Sequence, residues 1–298
     1  MILITGGTGF VGSHLVPYLT DLGYPVRLLI KPSKNSPQLP AGISVDAAVC
    51  SLHDERGLMA AMKGVSMIIH LAGSERMGTR ADMTAVDIRG TRLLMSVAAS
   101  ANVKRIFFLS TIGADVNSAY PVLKSKAIAE QTIKKCGIPY TIFRVGPIFG
   151  KGDQFISACS NIIQALPGVV LIPDNGDMYL HPLWIEDLLA VIGLSLSLPE
   201  TINSLTCIGG PEYLPFEEIL RMIMLNKRQR RLIVKVPPTM MRMIALYAET
   251  YLKHPPISIY WLDTLSADRT CSVDILPKKF GIIPARLSEK LAEILESS

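Results

Sequence analysis

Tyr120 and Lys124 stand four residues apart in the stretch SAYPVLKSKAIAE (118–130), and Lys126 and Glu130 repeat that spacing two residues on. Side chains four apart share one face of a helix. A lysine ammonium beside a tyrosine hydroxyl lowers the phenol's pKa and makes it a usable proton donor. The two registers compete, because residues two apart lie about 200° from each other around a helix. Counted from Lys124, the position four back is Tyr120, but four forward comes Ile128 and not an acid. Counted from Lys126, Glu130 is in place, but four back comes Val122, which has no proton to give. Pro121 suits a first helical turn and leaves Tyr120 at its threshold, as a displaced acid or as an ordinary loop tyrosine.

A second pattern is ITGGTGFVGSHL (4–15). Gly7, Gly9 and Gly12 spell GxGxxG, and Gly6, Gly9 and Gly12 are spaced by threes. The run follows a strand-like segment and opens a helical one, which is the context a dinucleotide loop requires. Glycines permit the tight turn and the approach of a pyrophosphate, and the helix start supplies free N–H groups. The alternative is a glycine-rich turn with no ligand. Beyond the second strand, VRLLIKPSK offers Lys31, Ser33 and Lys34, with no carboxylate between Asp21 and Asp46. NAD sites usually place an acid there for the ribose 2′-hydroxyl. A cationic, hydroxyl-bearing loop suits a 2′-phosphate, so NADP(H) is favoured over NAD(H). The alternative is a pair of exposed loop lysines.

These residues need a scaffold, and the apolar runs describe one. ILIT (2–5), VRLLI (26–30), MIIHLA (67–72), RIFFLST (105–111) and YTIFRVG (140–146) read as strands. Helical patterns run from Phe10 to Leu22, at 58–64, 90–102 and 126–137, the last closed by Gly137. Continuous apolar strands alternating with helices predict a Rossmann-type, doubly wound α/β fold with a parallel sheet. A helix at 183–196 and a strand at 204–210 complete it. Residues 1–150, with 183–210, form the dinucleotide-binding domain, and 151–182 with 211–298 form a small, mainly helical cap.

The same segments resemble the atypical, extended short-chain dehydrogenase/reductase superfamily over nearly the full length. TGGTGFVG is similar to its cofactor loop, which brings in Gly6, Thr8, Gly9, Phe10, Val11 and Gly12. HLAG (70–73) resembles the strand-four motif beside the cofactor riboses, implying Leu71, Ala72 and Gly73. FFLST (107–111) resembles the strand that carries a substrate-orienting Ser or Thr, here Ser110 or Thr111. FRVGPIFGKGD (143–153) is similar to the segment that flanks the nicotinamide, implying Val145, Gly146 and Pro147. DIRGT (87–91) resembles an N-x-x-G-T motif with Asp87 in place of Asn, and HPLWIEDLL (181–189) resembles H-V-x-D. Cys50-Ser51 stands where Gly-Asp is frequent. The helix Y-x-x-x-K-x-x-x-E is matched by Lys126 and Glu130, with Val122 in the tyrosine slot. The resemblance implies Lys126 as the ribose-holding lysine and leaves Tyr120 as either a displaced acid or an ordinary loop tyrosine. The C-terminal half narrows the likeness to the branch with the 39 kDa accessory subunit of respiratory complex I and its bacterial relatives. Reductases of the flavonol and isoflavone type lie nearby.

Two function classes follow. One is an NADP(H)-dependent oxidoreductase or epimerase-type enzyme on a small carbonyl substrate. The other is an NADP(H)-binding structural or assembly protein with lapsed catalysis. Five scattered cysteines without a CxxC pair argue for a reducing cytoplasm, and no His or Cys grouping has metal spacing at His14 or His254. No apolar run is long enough to span a bilayer, and the strand at Ile2 leaves no room for a signal peptide. The basic run KRQRR (227–231) reads as a solvated turn; nucleic acid would need more than 6% aromatic residues on a broader basic face. The methionine-rich stretch 237–252 packs the cap, or gives the chain a peripheral contact with a membrane surface or a protein complex. His70 is expected to pack and bond the backbone, and His181 to order the loop before 183–196.

Overall fold

The computed structural model describes residues 1–33, 45–174, 176–253, 255–266 and 268–296. In chain order its elements begin β1 (Ile2–Thr5), α1 (Phe10–Asp21), β2 (Val26–Ile30), β3 (Asp46–Val49), α2 (Glu55–Ala61), β4 (Met67–His70), α3 (Thr91–Ser100), β5 (Arg105–Thr111), α4 (Pro121–Lys135) and β6 (Tyr140–Val145). They continue with β7 (Ile148–Phe149), α5 (Phe155–Ala165), β8 (Val169–Pro173), β9 (Tyr179–Leu180), β10 (Leu183–Trp184), α6 (Ile185–Ser195), β11 (Ser204–Ile208) and β12 (Leu214–Pro215). The last are α7 (Phe216–Asn226), β13 (Leu232–Val236), α8 (Pro238–Tyr251), α9 (Ile259–Asp263) and α10 (Leu287–Glu296).

Seven strands form one sheet in the order β11-β6-β5-β4-β1-β2-β3. β1 pairs in parallel with β2 and β4, β2 with β3, and β4 with β5. The doubly wound expectation is borne out. β1, β4 and the middle of β5 are mainly apolar because helices cover both faces, and Leu3, Ile4, Ile68 and Ile106 are fully buried. Leu58 and Met62 from the α2 end, Leu94 and Ala98 of α3 and Ile133 of α4 pack on one face of the sheet, against Leu3, Ile68 and Ile106. The chain order reverses between β1 and β4. In open α/β sheets ligands bind outside the carboxyl ends of strands at such a switch point. The loops after Thr5, His70 and Thr111 all leave the sheet there.

The chain divides into two compact units. The first comprises 1–74, 82–144 and 189–206 and holds most of the sheet. The second comprises 75–81, 145–188 and the chain from 207 onward. Its strands form short pairs, β8 with β13 in parallel and β9 with β12 antiparallel, alongside α5, α7, α8, α9 and α10. β3 has no apolar run to announce it: DAAV is an exposed edge strand held by its pairing with β2.

Candidate functional site

The turn between β1 and α1 is built around glycines that nothing else could replace. Gly6 has φ +72°, and a Cβ there would stand 2.8 Å from the backbone of Leu71 and Ala72. A Cβ on Gly12 would lie 2.5 Å from the Gly6 carbonyl oxygen. The start of α1 is thus pressed onto its own turn, and that turn onto the loop after β4. Gly9 is the N-cap, with no side-chain cap and no acidic residue in the first turn. The first-turn N–H groups have no acceptor within the helix, and no capping side chain or first-turn acid occupies them. That cradle fits the pyrophosphate of a dinucleotide. Thr8 is exposed and Gly9 half-buried at the mouth, while Phe10, Val11 and Gly12 are buried beneath it. Leu71, Ala72 and Gly73, after β4, are half-buried.

A directed chain of hydrogen bonds runs behind this turn. Thr91 Oγ1 donates to the Asp87 carbonyl at 2.6 Å. Its oxygen therefore accepts from His70 Nε2, 3.0 Å away. The neutral ring then leaves Nδ1 to accept from Thr5 Oγ1 at 2.6 Å, and Thr5 Oγ1 accepts from the Ala72 N–H at 3.3 Å. His70 bonds two threonine hydroxyls rather than the backbone expected from its sequence context. Burial, and next the Lys126 ammonium, push its pKa down to about 3. The unfolded chain titrates near 6.5. Between those values the unfolded state binds a proton that the folded state refuses, so this group's contribution to stability rises with pH and is lost on acidification. The His70 ring resonances should show no titration above pH about 4 by NMR; a midpoint near 6 would contradict the relay.

Lys126 lies on the buried face of α4, 7% exposed. Its Nζ is 3.8 Å from Asp87 Oδ1 and sits 5.6 Å from the centre of the Phe108 ring. Asp87 belongs to a π-helical stretch, Thr84–Gly90, and accepts from the Ser74 N–H at 3.2 Å and Ser74 Oγ at 2.6 Å. Lys124 is exposed, and Val122 is buried at 5%. Tyr120 is the N-cap of α4, extended at φ −89°, ψ 118°, with its side chain half-buried. Neighbouring strand residues face opposite ways, so only one of Ser110 and Thr111 can face α4. It is Ser110, whose Oγ donates to Glu130 Oε1 at 2.5 Å. Arg144 of β6 clamps the same carboxylate twice, Nε to Oε1 at 2.8 Å and Nη2 to Oε2 at 2.7 Å. Thr111 is half-buried at the strand end.

Lys31 and Ser33 are exposed beyond the carboxyl end of β2, and Lys34 lies outside the described residues. Arg27 is engaged at the opposite end of β2, donating to Asp46 and to the carbonyls of Ala61 and Lys63. In the second unit Val145 and Gly146 are buried and Pro147 half-buried. A Cβ on Gly146 would meet the His181 carbonyl oxygen at 2.1 Å. Buried His181 bonds the Gly210 carbonyl through Nε2 at 2.7 Å, and its ring is why Gly209 has no side chain. It orders this loop as its position suggests. Among the described residues no three His, Cys, Asp or Glu side chains group as metal ligands; His254 lies outside them. No helix among them is long and apolar enough to cross a membrane.

A family model described as NAD(P)H-binding matches residues 6–154. The chain belongs to this NAD(P)H-binding family. Among its relatives is the photosystem II assembly factor Ycf39 of Cyanophora paradoxa, 28% identical over 50% of this chain and 46% of that protein. Another is the mitochondrial NADH dehydrogenase [ubiquinone] 1 alpha subcomplex subunit 9 of Dictyostelium discoideum, 24% identical over 98% of this chain and 83% of that protein. The match thus spans less than half of the first relative's length. The fold is similar to that of an Escherichia coli NADPH-dependent quinone oxidoreductase solved with NADPH, at TM-score 0.78 and 18% identity, covering 99% of this chain and all of that one.

Within the NAD(P)H-binding segment, four residues carry more than their sequence context announced. Asp87 stood out only as a departure from Asn, yet it is the ionic partner of Lys126. Arg144 and Glu130 each sit inside a recognisable motif, and only their pairing was hidden. Thr91, the last residue of DIRGT, is the hydroxyl that sets the His70 tautomer.

Proposed function

We propose that the chain binds NADP(H) in preference to NAD(H) and uses it to reduce a small carbonyl substrate. The observation that carries this reading is Lys126. A lysine kept buried and ion-paired beside His70 at the carboxyl end of β4 and Phe108 of β5 is costly to retain for packing alone. At the switch point of a doubly wound sheet it suits the ribose of a bound dinucleotide. In this reading the Gly6–Gly12 turn and the start of α1 hold the pyrophosphate, while Lys31 and Ser33 meet the 2′-phosphate. Lys126 holds the nicotinamide ribose, with Leu71, Ala72 and Gly73 alongside. Val145, Gly146 and Pro147 stay in the cofactor set on the sequence resemblance alone. The nicotinamide supplies a hydride when bound. Thr111 orients the substrate oxygen, because the Ser110 proton is directed at Glu130. Val122 cannot deliver the proton, which leaves Tyr120, held at the N-cap, as the acid. Asp87 keeps Lys126 charged and in place.

Fluorescence titration tests the cofactor part. NADPH should bind more tightly than NADH, and Lys31→Ala should erode the difference while leaving NADH binding nearly unchanged. Lys126→Met should weaken both, and Lys124→Met neither. Equal affinities, or a preference for NADH, sink the 2′-phosphate assignment. NADPH oxidation against a panel of aldehydes, ketones and quinones tests the enzyme part.

A second reading is a dinucleotide-binding structural or assembly protein. Val122 in the tyrosine slot supports it, as do the names of the two relatives above. So does α8, which leaves Met240, Met243, Tyr247 and Tyr251 exposed along one stripe while Met241, Ala245 and Ala248 are buried. A stripe of that kind suits a protein partner. Tight NADPH binding with no turnover on any panel member would favour this reading.

A further inference from the structure

The run KRQRR (227–231) plays no part in the dinucleotide site. It follows α7 in the second unit, through a tight C-terminal cap. The Arg228 N–H donates to the Leu225 carbonyl at 3.1 Å and the Gln229 N–H to the Met224 carbonyl at 2.9 Å. Arg228 sits at φ +52°. This is the doubly bonded cap in which glycine is usual, so a cation stands where the backbone favours a residue without a side chain.

The turn leads into β13, whose parallel register sets Leu232 opposite Val169 of β8. The turn before β13 therefore lies beside the turn before β8, residues 166–168. Two bonds join them: the Leu232 N–H donates to the Gly168 carbonyl at 2.9 Å, and Arg231 Nη1 to the Leu166 carbonyl at 3.1 Å. The joint end presents Lys227, Arg228, Arg230 and Arg231. Around them Leu166, Leu225 and Leu232 are 40%, 79% and 67% exposed. Neither 161–172 nor 222–236 contains an Asp or Glu. The acids of α7, Glu217 and Glu218, lie at its other end, and Glu217 is held by Arg221 and Lys235.

We propose that this end of the second unit docks on an anionic phospholipid surface, the four cations over the headgroups and the leucines entering the interface. Cations without local acids give the charge complementarity, and basic clusters beside exposed apolar side chains are drawn to such surfaces. The leucines come from three elements that meet at this end, Leu166 from the C-cap of α5, Leu225 from the last turn of α7 and Leu232 from the start of β13, and such scattered apolar side chains suit a soft interface. Neither turn carries an aromatic residue on which a base could stack, as a single-stranded nucleic acid would require.

Co-sedimentation of the full chain with phosphatidylcholine vesicles, with and without phosphatidylglycerol, tests this. Binding should require phosphatidylglycerol and be lost at high salt. Each cation near such a surface contributes about five-fold in affinity, so Arg228→Glu with Arg230→Glu should lower it by well over ten-fold. Leu225→Ser with Leu232→Ser should lower it several-fold and leave the salt dependence in place. Both double variants should keep the wild-type NADPH titration and circular dichroism, which separates lost docking from lost fold. The proposal is overturned if wild-type protein ignores anionic vesicles or binds neutral ones equally. It is also overturned if the charge-reversed variant binds as well as wild type, or if single-stranded RNA or polyglutamate displaces the vesicles at matched charge.

Discussion

Gly12→Val abolishes dinucleotide binding and destabilises the first unit. The Cβ alone would stand 2.5 Å from the Gly6 carbonyl oxygen and 2.5 Å from Gly7 Cα. Both are backbone atoms of the β1–α1 turn, so neither can rotate away. The only relief is to push α1 off its turn, and that displaces the N–H groups offered to the pyrophosphate. Overpacking of this kind costs about 1–3 kcal/mol. The effect on binding is larger, because the anion site consists of those amides and the dipole behind them. NADPH titration and urea unfolding of the same preparation separate the two losses. A Gly12→Val protein that binds NADPH like wild type would show the turn to be only a turn.

Arg144→Ala is expected to cost about 3 kcal/mol of folding stability, the lower end for breaking a buried pair. Glu130 is 2% exposed and has Ser110 as its other hydrogen-bond partner. Removing Arg144 strands a buried carboxylate that joins α4, β5 and β6. The lower end applies because the Arg144 side chain is 25% exposed, so water reaches part of the pair. Removing both charges, Glu130→Gln with Arg144→Met, should cost less than the single change, since no charge is left behind. Urea unfolding of the three variants makes the comparison. A single-variant loss below about 0.5 kcal/mol would mark the pair as no more than a surface salt bridge.

Whether the helix that carries the lysines retains its chemistry turns on the same neighbourhood. α4 buries Val122, Lys126 and Glu130 and exposes Lys124, so the register read from Lys126 faces the interior of the first unit. Its lysine meets a carboxylate 3.8 Å away. That carboxylate offsets part of the field with which an ammonium would acidify a phenol. The combination favours holding a ribose over activating a tyrosine.

The order of strands and helices in the first unit, and the place of the anion cradle, were legible in the sequence. Both rest on local signals. Strands buried on two faces read as unbroken apolar runs, and glycines spaced for close approach mark the turn between β1 and α1. β3 was invisible because a short, exposed edge strand needs no apolar residues, only the free side of β2. The partners of the site were decided by tertiary structure alone. Thr5 reaches His70 across 65 residues, Lys126 reaches Asp87 from another helical segment, and Glu130 joins Ser110 to Arg144. No helical or strand period encodes such pairs. They exist because the parallel sheet brings the ends of β1, β4, β5 and β6 to one edge, where each buried polar group must find a partner or unfold the site.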